Sequence, residues 1–325
     1  MPRQLRHAFF AAALAAAAVL AAPTACAQAA YPSKPVRFVV NFPPGGPLDA
    51  LARALAEAAQ KELKQPFIVD NRPGAGGNLG ADQVAKAPAD GYTVLLSIDT
   101  TFTVNPALYP SMPFAAKDFK PLMIIASSGL TFAVNPTVKA KTLAELVAQG
   151  KAEPLTFSSA GNGSPGHFAA EIFSEHTGAK VTHIPYKGNA PAVTALLAGE
   201  VQAGILATPG LLPHLQAGKL RALATTGARR SPLLPQVFTV GELGLKELEF
   251  EVLYLAMAPA ATPEPVMQTL RSALQTALAA PDLQARLASL DMLPLAETGA
   301  AAAKRLEVNA ARYGRVVKAT GMKPD

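Results

Sequence analysis

Three glycine-rich segments carry the residue types that could do chemistry. Pro43-Pro44-Gly45-Gly46 follows a β-branched run and precedes a helical pattern. Asn71-Arg72-Pro73-Gly74-Ala75-Gly76-Gly77-Asn78 and Ser158-Ser159-Ala160-Gly161-Asn162-Gly163-Ser164-Pro165-Gly166-His167 occupy the same kind of place further on. A strand that feeds a glycine turn and then a helix presents backbone N–H groups at the positive end of a helix dipole, where an anion is stabilised. Three such turns on separate strand–helix units point to a site for a small carboxylated molecule.

Other chemistries compete for the same residues. Gly161 to Gly166 fits G-x-G-x-x-G between a strand and a helix, the dinucleotide fingerprint. That fold also needs an acid near the end of the next strand, and none occurs between Glu175 and Glu200. Ser164 nearly fits a nucleophile elbow, with Asn162 where glycine is wanted and His167 three residues on. An exported serine hydrolase using Ser164 and His167 is therefore one alternative; a plain helix cap at Ser164 is another. Asp49, in the first helical turn, suits a cap, while Arg72 could hold a carboxylate or support its loop. The five histidines lack metal-ligand spacing, so neither a metal nor a cofactor is expected. His183 reads as a structural residue within a strand. Lys187, in the turn Tyr186-Lys187-Gly188, could face ligand or solvent.

Short apolar runs alternate with helical patterns, which argues for an α/β fold. The spacing predicts strands at 36–41, 67–70 and 92–97 and helices at 48–63 and 79–87. Leu48, Leu51, Leu55, Ala58 and Ala59 give the first helix one apolar face. Pro106, Pro110, Pro113 and Pro121 read as a turn-rich stretch. A second set predicts strands at 155–158, 181–185, 201–207 and 220–226, with helices at 167–177, 190–198 and 209–217. Helices at 263–279 and 299–320 close the chain, and this tail is expected to pack on the first domain. Segments 130–134 and 250–256 flank the second set. They are expected to act as hinge strands between domain 1 (31–129 plus 256–325) and domain 2 (130–255).

The N-terminus reads as a signal peptide over 1–27. Arg3 and Arg6 precede an uncharged apolar run, and Ala25-Cys26-Ala27 gives a small-x-small cleavage pattern. Cys26 is the chain's one cysteine, so the product after cleavage has no disulfide. About 298 of the 325 residues remain, more than one comfortable core. The formal charge of +6 falls to about +4 once the two arginines are removed. That mild, scattered excess suits anionic small molecules and argues against nucleic acid.

The loops also carry a resemblance. YPSKPVRFVVNFPPGGPLDALAR at 31–53, NRPGAGGNLGADQVAKAPADGYTVLL at 71–96, SSAGNGSPGHFAAEIF at 158–173, HIPYKGNAPA at 183–192 and AMAPAATPEPV at 256–266 occur in order. Together they resemble the substrate-binding proteins of tripartite tricarboxylate transporters, the Bug family. The resemblance implies a two-lobed periplasmic binding protein of Venus-flytrap form, a monomer, closing over a small organic acid. That acid would be a di- or tricarboxylate, an aromatic acid or a related carboxylate, delivered to membrane permease subunits. Presentation of ligand to a membrane sensor is a further alternative. The implied ligand residues are Phe42, Pro44, Gly45, Gly46, Asp49, Ala75, Gly76 and Ser97 in domain 1. In domain 2 they are Ser159, Gly161, Ser164, His167, Tyr186, Lys187 and Thr208. The chain departs from the family where Ala207-Thr208 ends a strand that often carries an acid there, which makes amino- or hydroxyl-bearing ligands less suited.

Overall fold

Strand β1 (Val36–Val40) is apolar on both faces except for Arg37, whose guanidinium reaches Asp70 at 3.5 Å. Val36, Phe38, Val39 and Val40 are all fully buried. It is flanked in parallel by β2 (Phe67–Asn71) and β3 (Thr93–Ile98), with Val39 opposite both Asp70 and Leu95. A parallel strand covered on both faces reads as a continuous apolar run. The computed structural model describes residues 31–324. The signal-peptide reading and Cys26 therefore lie outside the described residues. From Lys34 onward the chain forms one contact unit.

The remaining strands are β4 (Phe119–Ser128), β5 (Thr131–Val134), β6 (Leu155–Ser159), β7 (Val181–Pro185), β8 (Ala203–Leu206), β9 (Arg221–Thr225), β10 (Val252–Pro259) and β11 (Leu293–Glu297). They make two mixed sheets, ordered β11-β4-β10-β3-β1-β2 and β7-β6-β8-β5-β9. Each sheet carries helices, giving a two-lobed α/β protein. The helix Pro47–Leu63 buries Leu48, Leu51, Ala52, Leu55, Ala56 and Ala59, and proline at its first position costs no hydrogen bond.

Strand β4 falls where prolines predicted turns. Pro121 sits opposite Met257 beside a register shift in the β4–β10 pairing. A proline is tolerated where the ladder is already irregular, because its missing N–H then breaks no regular bond. Strand β11 and the helices Leu143–Ala152 and Pro281–Ser289 are further elements beyond those the spacing predicts.

The chain passes between the sheets after β4 and again between β9 and β10. Thr226 ties the two passages together. Its hydroxyl accepts from Leu130 N at 2.8 Å and donates to Phe250 O at 2.7 Å. Its backbone N donates to Leu130 O, and its O accepts from Phe250 N, both at 2.9 Å. Thr226→Val keeps the shape and strands a buried N–H and a buried carbonyl, at about 1–3 kcal/mol for each. Urea unfolding should show this loss, with Thr226→Ser close to the wild-type midpoint. Equal midpoints for Thr226→Val and the wild type would remove Thr226 as the tie.

An aromatic group bridges the same region. Phe168, Phe250 and Tyr313 pack with ring centroids 4.8–5.4 Å apart. Tyr313 lies on the final helix, Gly299–Thr320, which packs against β4 and also against the helix Pro165–Thr177. The tail thus touches both lobes, beyond the first-domain contact the sequence suggested.

Candidate functional site between the two sheets

The C-terminal ends of β1, β3, β6, β7 and β8 converge on one cleft, as ligand crevices do in open α/β sheets. The cleft holds a cavity of about 110 Å³. Its wall is mostly apolar: Phe42, Pro43, Pro44, Pro47, Leu48 and Ile98 from one lobe, Ile205, Leu206 and Ala207 from the other. Leu130, Val252 and Tyr254 close it on the side where the chain crosses. Lys187 is the one ionised side chain among the lining residues, and no Asp or Glu lines it. Helices begin at Pro47, Pro165, Asn189 and Thr208 along this wall. Their positive ends make the cleft favourable to an anion.

Loops from the two lobes meet at its rim. A Cβ added to Gly163 would lie 3.1 Å from Asn105 Oδ1 and 3.5 Å from Gly76 Cα. One added to Gly188 would lie 3.5 Å from the Pro43 side chain.

Of the residues singled out from the sequence, Phe42, Pro44, Gly45, Gly46, Ser164 and Lys187 line the cavity. Asp49 sits behind the first loop, 5% exposed. Its Oδ2 accepts from Gly45 N and from Arg53 Nε, each at 3.0 Å. Burial alone would raise its pKa, but the bonds from Arg53, Gly45 and Asn71 hold it below the usual carboxylate range. The second glycine loop, with Ala75 and Gly76, is absent from the wall and packs on Asn105 instead, whose Nδ2 donates to Gly76 O at 2.9 Å. Ser97 is fully buried and accepts from Asn41 Nδ2 at 2.9 Å. Asn41 and Asn105 thus position that loop, a role with no local signal in the sequence. Arg72 donates to Asp70 Oδ1 at 3.0 Å and supports its own strand.

Ser159, Gly161, His167, Tyr186 and Thr208 form a layer outside the wall. Ser159 Oγ lies 2.6 Å from His183 Nε2. The His183 ring stacks on His167 with centroids 3.8 Å apart. Burial, with the adjacent His167, pushes the His183 pKa down to about 3, so this pair stays free of charge on the His183 side. Tyr186 OH donates to Glu200 at 3.3 Å, and Thr208 Oγ1 lies 3.0 Å from Thr131 Oγ1. Ser164 Oγ accepts from His167 N at 3.4 Å, which is a helix cap. The His167 ring turns elsewhere: Nδ1 accepts from Gly163 N at 3.2 Å and Nε2 faces Glu171 at 3.6 Å. Among the described bonds no imidazole nitrogen reaches Ser164 Oγ, so the geometry of a serine nucleophile is not formed there. Among the described residues no group of three His, Cys, Asp or Glu side chains could hold a metal.

The model of the "Tripartite tricarboxylate transporter family receptor" matches residues 51–322. The chain belongs to this receptor family. Protein BugT of Bordetella pertussis (strain Tohama I) is 38% identical over 312 residues, 95% of each chain. The structure of the periplasmic binding protein BugD superposes with a TM-score of 0.84 at 31% identity, covering 91% of this chain and all of that one. The Rpa4515 protein of R. palustris, solved with adipate, gives 0.85 at 32% identity with the same coverage. As a receptor of this family the protein is a solute-binding protein, and its work is capture, not turnover. No helix among the described residues is long and apolar enough to cross a membrane.

Proposed function

We propose that this receptor works outside the cytoplasm as a monomer, capturing a small organic acid and handing it to the permease subunits of a tripartite tricarboxylate-type transporter. The observation that supports this most is the cleft itself, where strand ends and four helix starts from both sheets surround one cavity. Adipate in a relative of the same fold supports a carboxylate as the bound group. Lobe one comprises 31–129 with the chain from β10 onward, four residues earlier than the expected boundary at 256 because β10 pairs with β4 from Val252, and lobe two comprises the strands β5 to β9 and their helices. Ligand contacts come from Phe42, Pro44, Gly45, Gly46, Ser164 and Lys187, with Ser159, His167 and Asp49 holding the loops behind them.

Binding across two lobes favours the closed arrangement by the ligand's differential affinity for it. Native mass spectrometry of the purified protein should reveal a co-purifying acid below a few hundred daltons. Addition of that acid to stripped protein should reduce the radius of gyration in small-angle scattering. Hydrogen exchange should slow in the 42–48 loop and in the 160–166 and 186–190 loops together. A constant radius, with protection confined to one lobe, would replace the clamp with a one-lobe pocket.

A further inference from the structure

We infer that Asp291 sets the ligand affinity of this receptor without lining the ligand cavity. Its carboxylate, carried by lobe one, clasps hydroxyls of lobe two and holds the two lobes in the closed arrangement. This rests on the two-lobe closure reading above and deepens it.

The chain end of a helix supplies the first step. Asp291 follows the helix Pro281–Ser289 and has φ +57°, in the left-handed region. Its N donates to Ala288 O at 3.0 Å, and Met292 N donates to Leu287 O at 2.9 Å. These are the two bonds of a Schellman helix end, where glycine is the usual residue because it adopts that backbone without strain. This chain places a carboxylate there instead, so the backbone gains nothing from the choice and the side chain must account for it.

The partners of that side chain belong to the other lobe. Asp291 leads into β11, which pairs with β4, so it moves with lobe one. Its Oδ1 accepts from Ser231 Oγ at 2.6 Å. Ser231 lies in the segment after β9 that folds back along that strand: Thr225 N donates to Phe238 O and Val240 N to Thr225 O. Burial raises the pKa of Asp291, and hydrogen bonds from Ser231 and from Thr208 oppose that. Thr208 opens the helix Thr208–Gln216, a second element of lobe two. A short bond from a hydroxyl to an ionised carboxylate is among the stronger hydrogen bonds.

The position beside the crossings decides what the clasp does. Asp291 shares a cavity of about 470 Å³ with Ser128, Gly129, Gly227 and Glu251, residues of the two passages between the sheets. A lobe rotation leaves the Thr226 bonds in place, because Thr226 sits on the passages themselves. The same rotation carries Ser231 past β11, and a bond of this kind is lost within about 1 Å of stretch. The clasp therefore belongs to one arrangement. In that arrangement Gly163 faces Asn105 and Gly76, and Gly188 faces Pro43, so the rim loops of the two lobes have met. Neither Asp291 nor Ser231 is among the residues lining the ligand cavity. Their effect on affinity runs through the closed fraction, since apparent affinity scales with the competent population.

Asp291→Gly removes the carboxylate and keeps a residue that suits the helix end. Small-angle scattering of the ligand-stripped variant should give a larger radius of gyration than stripped wild type. Hydrogen exchange should be faster in the 74–78 and 161–164 loops. Adipate should bind the variant roughly fivefold weaker or more, with the loss in its dissociation rate. Ser231→Ala should change all three in the same direction, and the double variant should be no worse than Asp291→Gly. An unchanged radius with unchanged loop exchange in Asp291→Gly would overturn the clasp. Tighter adipate binding by that variant would overturn it too, and so would additive losses in the double variant. If adipate does not bind wild type, adipate is not the cargo, and the radius and loop exchange of the stripped proteins decide the clasp. If adipate binds wild type but changes neither its radius nor its loop exchange, the closure reading falls and the clasp with it.

Discussion

Gly163→Val is expected to weaken carboxylate binding at least a hundredfold while the protein still folds. Gly163 has φ +71°, in the left-handed region that a β-branched residue adopts only under strain. Its position adds a second effect. The Cβ would point at Asn105 and Gly76, which belong to the opposite lobe. An isopropyl group there holds the lobes apart at the place where their loops meet. A hundredfold loss corresponds to about 2.7 kcal/mol, within reach of a contact that prevents closure. Gly218→Val separates the two causes. Gly218 has φ +68° and nothing within 4 Å of its added Cβ. It should show a similar loss of thermal stability and unchanged affinity. Titration with the acid identified by native mass spectrometry, alongside scattering, provides the readout. Wild-type affinity in Gly163→Val would mean that the two lobes do not need to meet there.

Asp99→Asn is expected to stabilise the protein above neutral pH, by up to roughly 4 kcal/mol. Asp99 is fully buried at the end of β3. Its Oδ1 accepts from Leu253 N at 3.0 Å, and its Oδ2 lies 3.5 Å from Asn309 Nδ2. Burial raises its pKa to about 7, and the bonds from Leu253 and Asn309 and the charge of Arg305 only partly oppose that. The folded protein therefore binds this proton more tightly than the unfolded chain, whose carboxyl titrates near 3.8.

The resulting stability is fully present below about pH 4 and is lost as pH rises to about 7. His183 works in the opposite sense. Its lowered pKa makes stability fall as pH drops from about 6.5 to about 3. The difference between variant and wild type cancels that contribution. Urea unfolding at several pH values should show the Asp99→Asn advantage growing by about 1.4 kcal/mol per unit from pH 5 to pH 7, then levelling. A difference that does not change with pH would show that Asp99 is ionised throughout. Ile98, Val252 and Tyr254, the neighbours of Asp99 and Leu253 in sequence, line the cavity. The asparagine variant should therefore retain ligand affinity, since it keeps the acceptor for Leu253 N.

Much of this architecture follows from local chemistry, and for that reason it was legible in the chain. The strand–glycine–helix units at 36–63 and 155–177 declare themselves through a change of hydrophobic period across a turn. Ser164 as a cap and Asp49 in a first turn are decided by side-chain and backbone groups within four residues of each other. The ordered loop blocks were enough to mark the family and the two-lobed α/β plan. Strand β4 was hidden because the tolerance of Pro121 depends on a register shift against Met257, 136 positions away.

The wall of the cavity was hidden for a related reason. Ile98, Leu130, Ile205, Val252 and Tyr254 look like core residues, and in a sequence an apolar side chain at a strand end reads the same whether a core or a ligand covers it. For Ser97 and Gly76, which the family resemblance implied as ligand contacts, the partners found in the fold are Asn41 and Asn105. Loop chemistry thus fixed that an anion-favouring cleft exists. Only long-range packing decided which N–H groups are already bonded, which charge remains on the wall, and how much of the cleft is hydrocarbon, because each of those depends on residues brought together from both sheets.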